Sequence, residues 1–338
     1  MLKAGLIGAG KMGISHFAIL GAHPDVEVSA VCDSASFITS PLKKHTHVET
    51  FKDYKDMIKR SSLDFVVVAT PTSSHFETAK YALEQNLHVF VEKPLCLTPQ
   101  ESKTLADLAK AQKRISQVGY HNRFIGTFIE AARLVRSGAL GDVYHINGSA
   151  FGQVVVKKKA DSTWRSKKSE GGGCLHDYCS HVIDLMNFVM GPPKAVLGAK
   201  LQSIFSESIE DAVYATLVYP NGASGQIETN WSDESYRKMS TSITVYGTAG
   251  KLQADRQELK VYLRKGAEIP GYGLGWTMRY ITDLQKPVWY YLRGEEYSAQ
   301  LDSFIQSIKA GQQQGDYSFA SAYETDRVVD LIQQASRS

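Results

Sequence analysis

The sequence predicts two domains of different class: an α/β doubly wound parallel sheet over residues 1–121, and an α+β unit over residues 122–338 with a large, mostly antiparallel open sheet. Three observations predict this. A length of 338 residues is about twice that of an ordinary domain. The amino-terminal third alternates short β-branched runs with amphipathic stretches, as strands of a parallel sheet joined by crossover helices do. Beyond it, strand-like runs follow one another directly, with turn signals between them.

The first strands are expected at Lys3 to Ile7, Glu27 to Cys32, Phe65 to Ala69, Val89 to Val91 and Ile115 to Val118. Between them, His75 to Gln85 carries Phe76, Ala79, Ala82 and Leu83 at helical spacing. Thr98-Pro99-Gln100-Glu101 combines a capping side chain, a proline at the first helical position and a glutamate at the third, so a helix runs from Pro99 to about Lys113. Arg123 to Val135 reads as one more helix before the texture changes. Strands are then expected at Asp142 to Ala150, Ala195 to Gln202, Ala212 to Tyr219, Ala223 to Asn230 and Thr241 to Tyr246. Pro220-Asn221-Gly222 marks a hairpin, and a helix from about His176 to Met190 interrupts the series before Gly191-Pro192-Pro193 stops it. Helices at about Glu296 to Ala310 and Ala320 to Ala335 close the chain, within the second domain.

Composition narrows the function classes. With 43% hydrophobic and 22% charged residues, 27 Gly and 10 Pro, the chain is neither disordered nor fibrous. A net charge of +3 is too small for nucleic acid to be its main partner. Four cysteines, no secretory leader and no apolar run long enough to cross a bilayer predict a cytoplasmic protein with no membrane partner.

Directly after the first strand stands Gly8-Ala9-Gly10-Lys11-Met12-Gly13. In that strand-turn-helix setting Gly8 makes the turn, Gly10 lets the backbone approach a pyrophosphate, and Gly13 lets helix pack on strand; Lys11 and Met12 open the helix whose N-terminus faces the anion. Asp33, 20 residues after Gly13, is placed to accept a ribose hydroxyl. A carboxylate there repels the 2′-phosphate of NADP, so NAD is the expected cofactor, with Lys43 and Lys44 leaving NADP open.

Two further motifs point to an enzyme. Glu92-Lys93-Pro94 sits at the C-terminal end of a strand, where open parallel sheets place ligands. After Gly171-Gly172-Gly173, Asp177 and His181 fall at helical spacing on one face, which Asp184 continues. An imidazole suits removal of a proton from a secondary alcohol, and a carboxylate can orient it or bind a substrate hydroxyl.

Taken together, the glycine loop, Ala69-Thr70-Pro71-Thr72 with His75, Glu92-Lys93-Pro94, Gly119-Tyr120 with Arg123, Gly138 to Val143 and the glycine run before Asp177 and His181 resemble the glucose-fructose oxidoreductase and inositol 2-dehydrogenase family, Gfo/Idh/MocA. The resemblance spans essentially the whole chain. It implies a Rossmann domain followed by a mainly β domain whose open sheet often mediates oligomerisation, here a homo-dimer or tetramer. It also implies Lys93, Asp177 and His181 at the catalytic positions, and Thr70, Pro71, His75, Glu92 and Lys93 along the cofactor. The chain departs from the family in having Cys179 two residues after the aspartate, where glycine is usual, and His176 before it, where an apolar residue is usual. Both bear on substrate identity.

The expected activity is reversible hydride transfer between NAD and a secondary alcohol of a sugar, cyclitol or sugar derivative, with Arg123, Trp164, Arg165 and Asp177 as substrate contacts. Two alternatives are a dinucleotide-binding regulator without catalysis and a reductase of an unsaturated non-sugar substrate. Cys174, His176, Asp177, Cys179 and His181 are all metal-ligand types, but one helix would point them in different directions, and no metal is expected. Lys157, Lys158, Lys159, Arg165, Lys167 and Lys168, against Asp161 and Glu170, are either a grip for an anionic substituent or a solvated loop. Tyr272, Trp276, Tyr280, Trp289, Tyr290 and Tyr291 read as no regular element, and suit sugar stacking, a subunit contact or the core.

Overall fold

The computed structural model describes residues 1–35, 39, 43–44, 46–154, 164–287, 289–290, 295–313 and 315–337, with main chain only at 164 and 295. The chain divides into two compact units, Met1–His121 with Pro287–Tyr323, and Asn122–Lys286 with Glu324–Ser338.

In the first unit, β1 (Leu2–Ile7), β2 (Val26–Cys32), β3 (Glu49–Phe51), β4 (Phe65–Val68), β5 (His88–Val91) and β6 (Ser116–Val118) form one parallel sheet in the order β3-β2-β1-β4-β5-β6. The reversal of order after β1 is the doubly wound signature, and it puts the ends of β1 and β4 at the switch point where such sheets bind ligands. The crossovers are α1 (Lys11–Ala22), α2 (Tyr54–Arg60), α3 (His75–Glu84) and α4 (Pro99–Ala111). Thr98 caps α4, accepting the Glu101 N–H, and Pro99 opens it, as the sequence predicts.

The second unit contains α5 (Gly126–Arg136), β7 (Val143–Phe151), a π-helical turn at Leu175–Cys179, α6 (Ser180–Met190), β8 (Ala195–Gln202), β9 (Ala212–Val218), β10 (Ser224–Asn230), β11 (Ser240–Gly247), β12 (Gly250–Asp255), β13 (Glu258–Leu263), β14 (Gly275–Tyr280) and α7 (Ile281–Leu284). Its eight strands run β14-β13-β12-β11-β7-β10-β9-β8, antiparallel except at β7-β10. Alternation along each strand buries Ile146, Ile227, Ile243, Val245 and Leu252 on one face, against which α5 and α6 pack. The opposite face presents Asn147, Thr216, Gln226, Ser242 and Thr244 around a shallow depression of about 580 Å³.

Three expectations change. The segment 287–323, which its place in the sequence assigns to the second domain, belongs to the first unit. There α8 (Glu295–Ala310) sets Leu301, Phe304 and Ile305 into the core of the parallel sheet, Phe304 meeting the rings of Phe65 and Phe90 edge-on at 5.5 and 5.9 Å. The last helix, α9 (Phe319–Ala335), is divided between the units at Tyr323. The aromatic stretch contains a regular element: Trp276 and Tyr280 stand on β14, which pairs with β13 throughout, and both are exposed. Tyr272 and Tyr290 are buried with their hydroxyls bonded to Glu130 and to the Ser298 carbonyl, and Tyr291 lies outside the described residues. Finally, the helix expected from His176 starts one residue earlier, as the π turn, before becoming α-helical.

Candidate active site

The glycine loop follows β1 as the motif requires. Gly8 has φ +90°, and a β-carbon at Gly13 would lie 1.9 Å from the Gly8 carbonyl oxygen, so helix and strand meet there at a distance only glycine allows. Gly10 differs: a β-carbon on it would meet nothing within 4 Å. That space lies at the start of α1, whose first turn contains neither an acidic residue nor a side-chain cap to satisfy its N–H groups. Asp33, just past β2, accepts the Ala9 N–H at 2.7 Å and the Ala35 N–H at 2.8 Å, which fixes its carboxylate against the loop. Lys11 and Met12 form the exposed and half-buried first residues of α1. A turn with room for an anion, unspent helix N–H groups and a carboxylate at the neighbouring strand end together fit a dinucleotide.

Beyond β4 and β5, the resemblance-implied residues separate into lining and bracing. Thr70 is half-buried and its hydroxyl accepts from Ser74 at 2.7 Å; Pro71 is exposed. His75 is buried with Nε2 at 2.9 Å from the Thr70 carbonyl and Nδ1 at 3.0 and 3.2 Å from those of Pro94 and Leu95. Burial pushes its pKa below the ordinary value against the pull of those carbonyls. Instead of presenting a ring to a ligand, it ties the loop after β4 to the loop after β5. Glu92 likewise turns inward, 2.6 Å from Nε2 of the buried His16 on α1, and accepts the Lys93 N–H at 3.3 Å. Burial raises this carboxyl, but the His16 hydrogen bond and the charges of His16, Lys93 and His121 outweigh it, holding Glu92 below the usual range. Lys93 itself is half-buried beside it.

In the second unit, Asp177 lies in the π turn and His181 in the first turn of α6, with only 6% and 5% of their surfaces exposed. Arg165 reaches Asp177, Nε to Oδ2, at 3.1 Å. Arg123 does not present an open face for substrate: it is buried, with Nε 2.7 Å from Oδ2 and Nη2 2.6 Å from Oδ1 of Asp184, a bidentate pair to which Thr325 adds its hydroxyl. The expected extension of the catalytic face to Asp184 is therefore a structural ion pair. The Trp164 side chain and Lys157, Lys158 and Lys159 lie outside the described residues.

Cys174 and Cys179 are buried, and burial pushes the Cys179 thiol to about 12 and that of Cys174 well above its ordinary value. Among the described residues no group of three His, Cys, Asp or Glu side chains could hold a metal ion. Sequence reasoning also missed Glu210 and Asp211, adjacent acids before β9 that are both buried, and His16. Two consecutive acids opening an otherwise apolar strand were the available signal.

Residues 2–120 match the oxidoreductase family described as having an NAD-binding Rossmann fold, and residues 128–253 match the GFO/IDH/MocA C-terminal domain. The chain belongs to the Gfo/Idh/MocA oxidoreductase family. Within Gfo/Idh/MocA proteins it is 28% identical to D-glucoside 3-dehydrogenase of Escherichia coli (strain K12), over 68% of this chain and 70% of that one. It is also 28% identical to the rhizopine catabolism protein MocA of Rhizobium meliloti, over 67% and 70% respectively. Its fold superposes with a TM-score of 0.88 on levoglucosan dehydrogenase in complex with NADH and levoglucosan, at 23% identity and covering 99% of this chain and 97% of that one. The matched residues take in the whole parallel sheet and β7 to β11 of the second sheet, and the first match is to an NAD-binding domain. No helix of the described residues is long and apolar enough to cross a membrane.

Proposed function

We propose that this chain oxidises a secondary alcohol of a sugar, cyclitol or sugar derivative with NAD, reversibly. The observation that carries the reading is the placement of Asp177 and His181, both almost fully buried, on one short π-to-α segment of a chain whose first unit carries the NAD loop. A buried carboxylate and imidazole four residues apart, with Arg165 on the carboxylate, are the parts of a proton-handling site.

When bound, the nicotinamide supplies the hydride acceptor. His181 takes the proton of the substrate hydroxyl, Lys93 donates to the same oxygen and stabilises the charge that develops on it, and Asp177 fixes a neighbouring hydroxyl or the imidazole. Glu92 and His75 act behind Lys93 by holding the loop that bears it. Turnover is followed as absorbance of the reduced nicotinamide, with levoglucosan and a D-glucoside as the first substrates. Lys93→Ala or His181→Ala is expected to lower kcat by about 10² to 10⁴ while NADH still binds; near-normal rates in both would sink the assignment.

We also infer that the outer face of the eight-stranded sheet pairs with a second copy of the chain. It is the sheet face not covered by α5 and α6, and Tyr214, Trp276 and Met278 are exposed on it.

A further inference from the structure

Glu210 is buried at the entrance to β9 and has no part in the chemistry proposed above. Its side-chain Oε1 accepts the Leu175 N–H at 3.0 Å, and its main-chain carbonyl accepts the Cys174 N–H, also at 3.0 Å. These two N–H groups lie at the very start of the π turn, where a helix has no internal acceptors to offer and where Cys174 provides no side-chain cap. The preceding glycine is shaped by the same carboxylate. Gly173 has φ +109°, and a β-carbon there would come within 2.2 Å of Glu210 Oε1, so any side chain would displace the acid. Gly173 in turn accepts the Asp177 N–H at 3.1 Å and donates its own N–H to the Arg165 carbonyl at 3.1 Å. One carboxylate thus sits against the short segment whose main-chain bonds reach both Asp177 and the residue paired with it. Burial raises the Glu210 carboxyl, with the Leu175 N–H and the charge of Lys168 opposing.

We infer that Glu210 is a positioning residue: by clamping the N–H groups of Cys174 and Leu175 it sets the π turn, and through it the orientation of Asp177 toward the reacting alcohol. The inference rests on the catalytic reading of Asp177 and His181. It also gives the glycine run a local reason, since the third glycine leaves room for the acid.

Geometry, not charge, is what the clamp requires, and two substitutions separate them. Glu210→Gln keeps an acceptor oxygen at the same reach. Glu210→Asp keeps the charge but withdraws it by one methylene, about 1.5 Å. The experiment compares wild type, Glu210→Gln, Glu210→Asp and Glu210→Ala by amide hydrogen exchange of residues 173–181, by NADH affinity from fluorescence, and by kcat and KM with levoglucosan or a D-glucoside. The expected result is faster exchange confined to 173–181 and a kcat lowered about 10- to 100-fold in the Asp and Ala variants. NADH affinity stays at the wild-type value in all, and Glu210→Gln stays within about threefold of wild type in kcat. Should Glu210→Ala fail to fold, the Asp and Gln pair still decides the matter. Unchanged exchange in Glu210→Asp, or an unchanged kcat in a protein where His181→Ala is inactive, overturns the inference. Full activity of His181→Ala would instead strike the catalytic reading and leave the exchange result standing.

Discussion

Asp211 shows how much a single buried carboxylate can organise. It accepts the main-chain N–H groups of Ile204, Phe205 and Ser206 at 2.5, 2.6 and 3.0 Å, together with the hydroxyls of Ser206 and Ser232. Burial works to raise its pKa, but the Ser206 hydroxyl and the three N–H groups more than offset that, so it lies below the ordinary aspartate value. A lowered carboxyl contributes stability that is complete above the unfolded value and disappears as pH falls through the folded one. Thermal melts between pH 7 and pH 2 are therefore expected to show Asp211→Asn less stable than wild type at neutrality by about 3 kcal/mol. The difference should shrink below pH 4, as wild type loses its charge; a gap that widened in acid would contradict this. Glu210 and Asp211 could be seen in the sequence as an acidic pair, but nothing local says that one clamps the π turn and the other a loop. Glu210 meets its Leu175 donor across 35 residues, Asp211 takes three N–H groups from a loop five to seven residues before it and a hydroxyl from Ser232, 21 residues on, and Arg123 finds Asp184 across 61.

At the scale of the element, α1 and its loop were legible because each requirement is local. The turn, the anion approach and the helix packing are each imposed by a glycine within six residues of sequence. The two later glycines answer to different constraints, which a pair of variants separates. Gly10→Ala meets open space, so it is expected to fold with an unchanged melting temperature and to bind NADH at least about tenfold more weakly. Gly13→Ala drives a methyl group into the Gly8 carbonyl and is expected to destabilise the first unit by about 2 kcal/mol or more. Equal NADH affinity in Gly10→Ala and wild type would mean that the loop does not approach the pyrophosphate. The π turn was not legible. Its 175–179 segment has the composition of an ordinary helix start, and the extra residue per turn is set by the clamp beneath it.

For the whole molecule, the two sheets and their order of appearance follow from periodicity, but membership of the units does not. Helix α8 has the same amphipathic pattern whichever core receives it, and the structure gives Leu301, Phe304 and Ile305 to the parallel sheet. The open sheet face makes a prediction at this scale. Placing lysines at Thr216 and Thr244, which line the depression, is expected to turn a dimer or larger assembly into a monomer in sedimentation velocity. A wild-type chain sedimenting as a monomer at micromolar concentration would rule the pairing out. By itself, the sequence determined what chain neighbours decide: the alternation that makes each strand and helix, the glycine loop for NAD, and the residue types for moving a proton. Only the tertiary structure decided which core takes the returning helix, which charges are spent on each other, and which acid holds the turn beneath Asp177. Those outcomes depend on burial and on partners far away in the chain, where a carboxylate must find its donor or pay the full cost of leaving water.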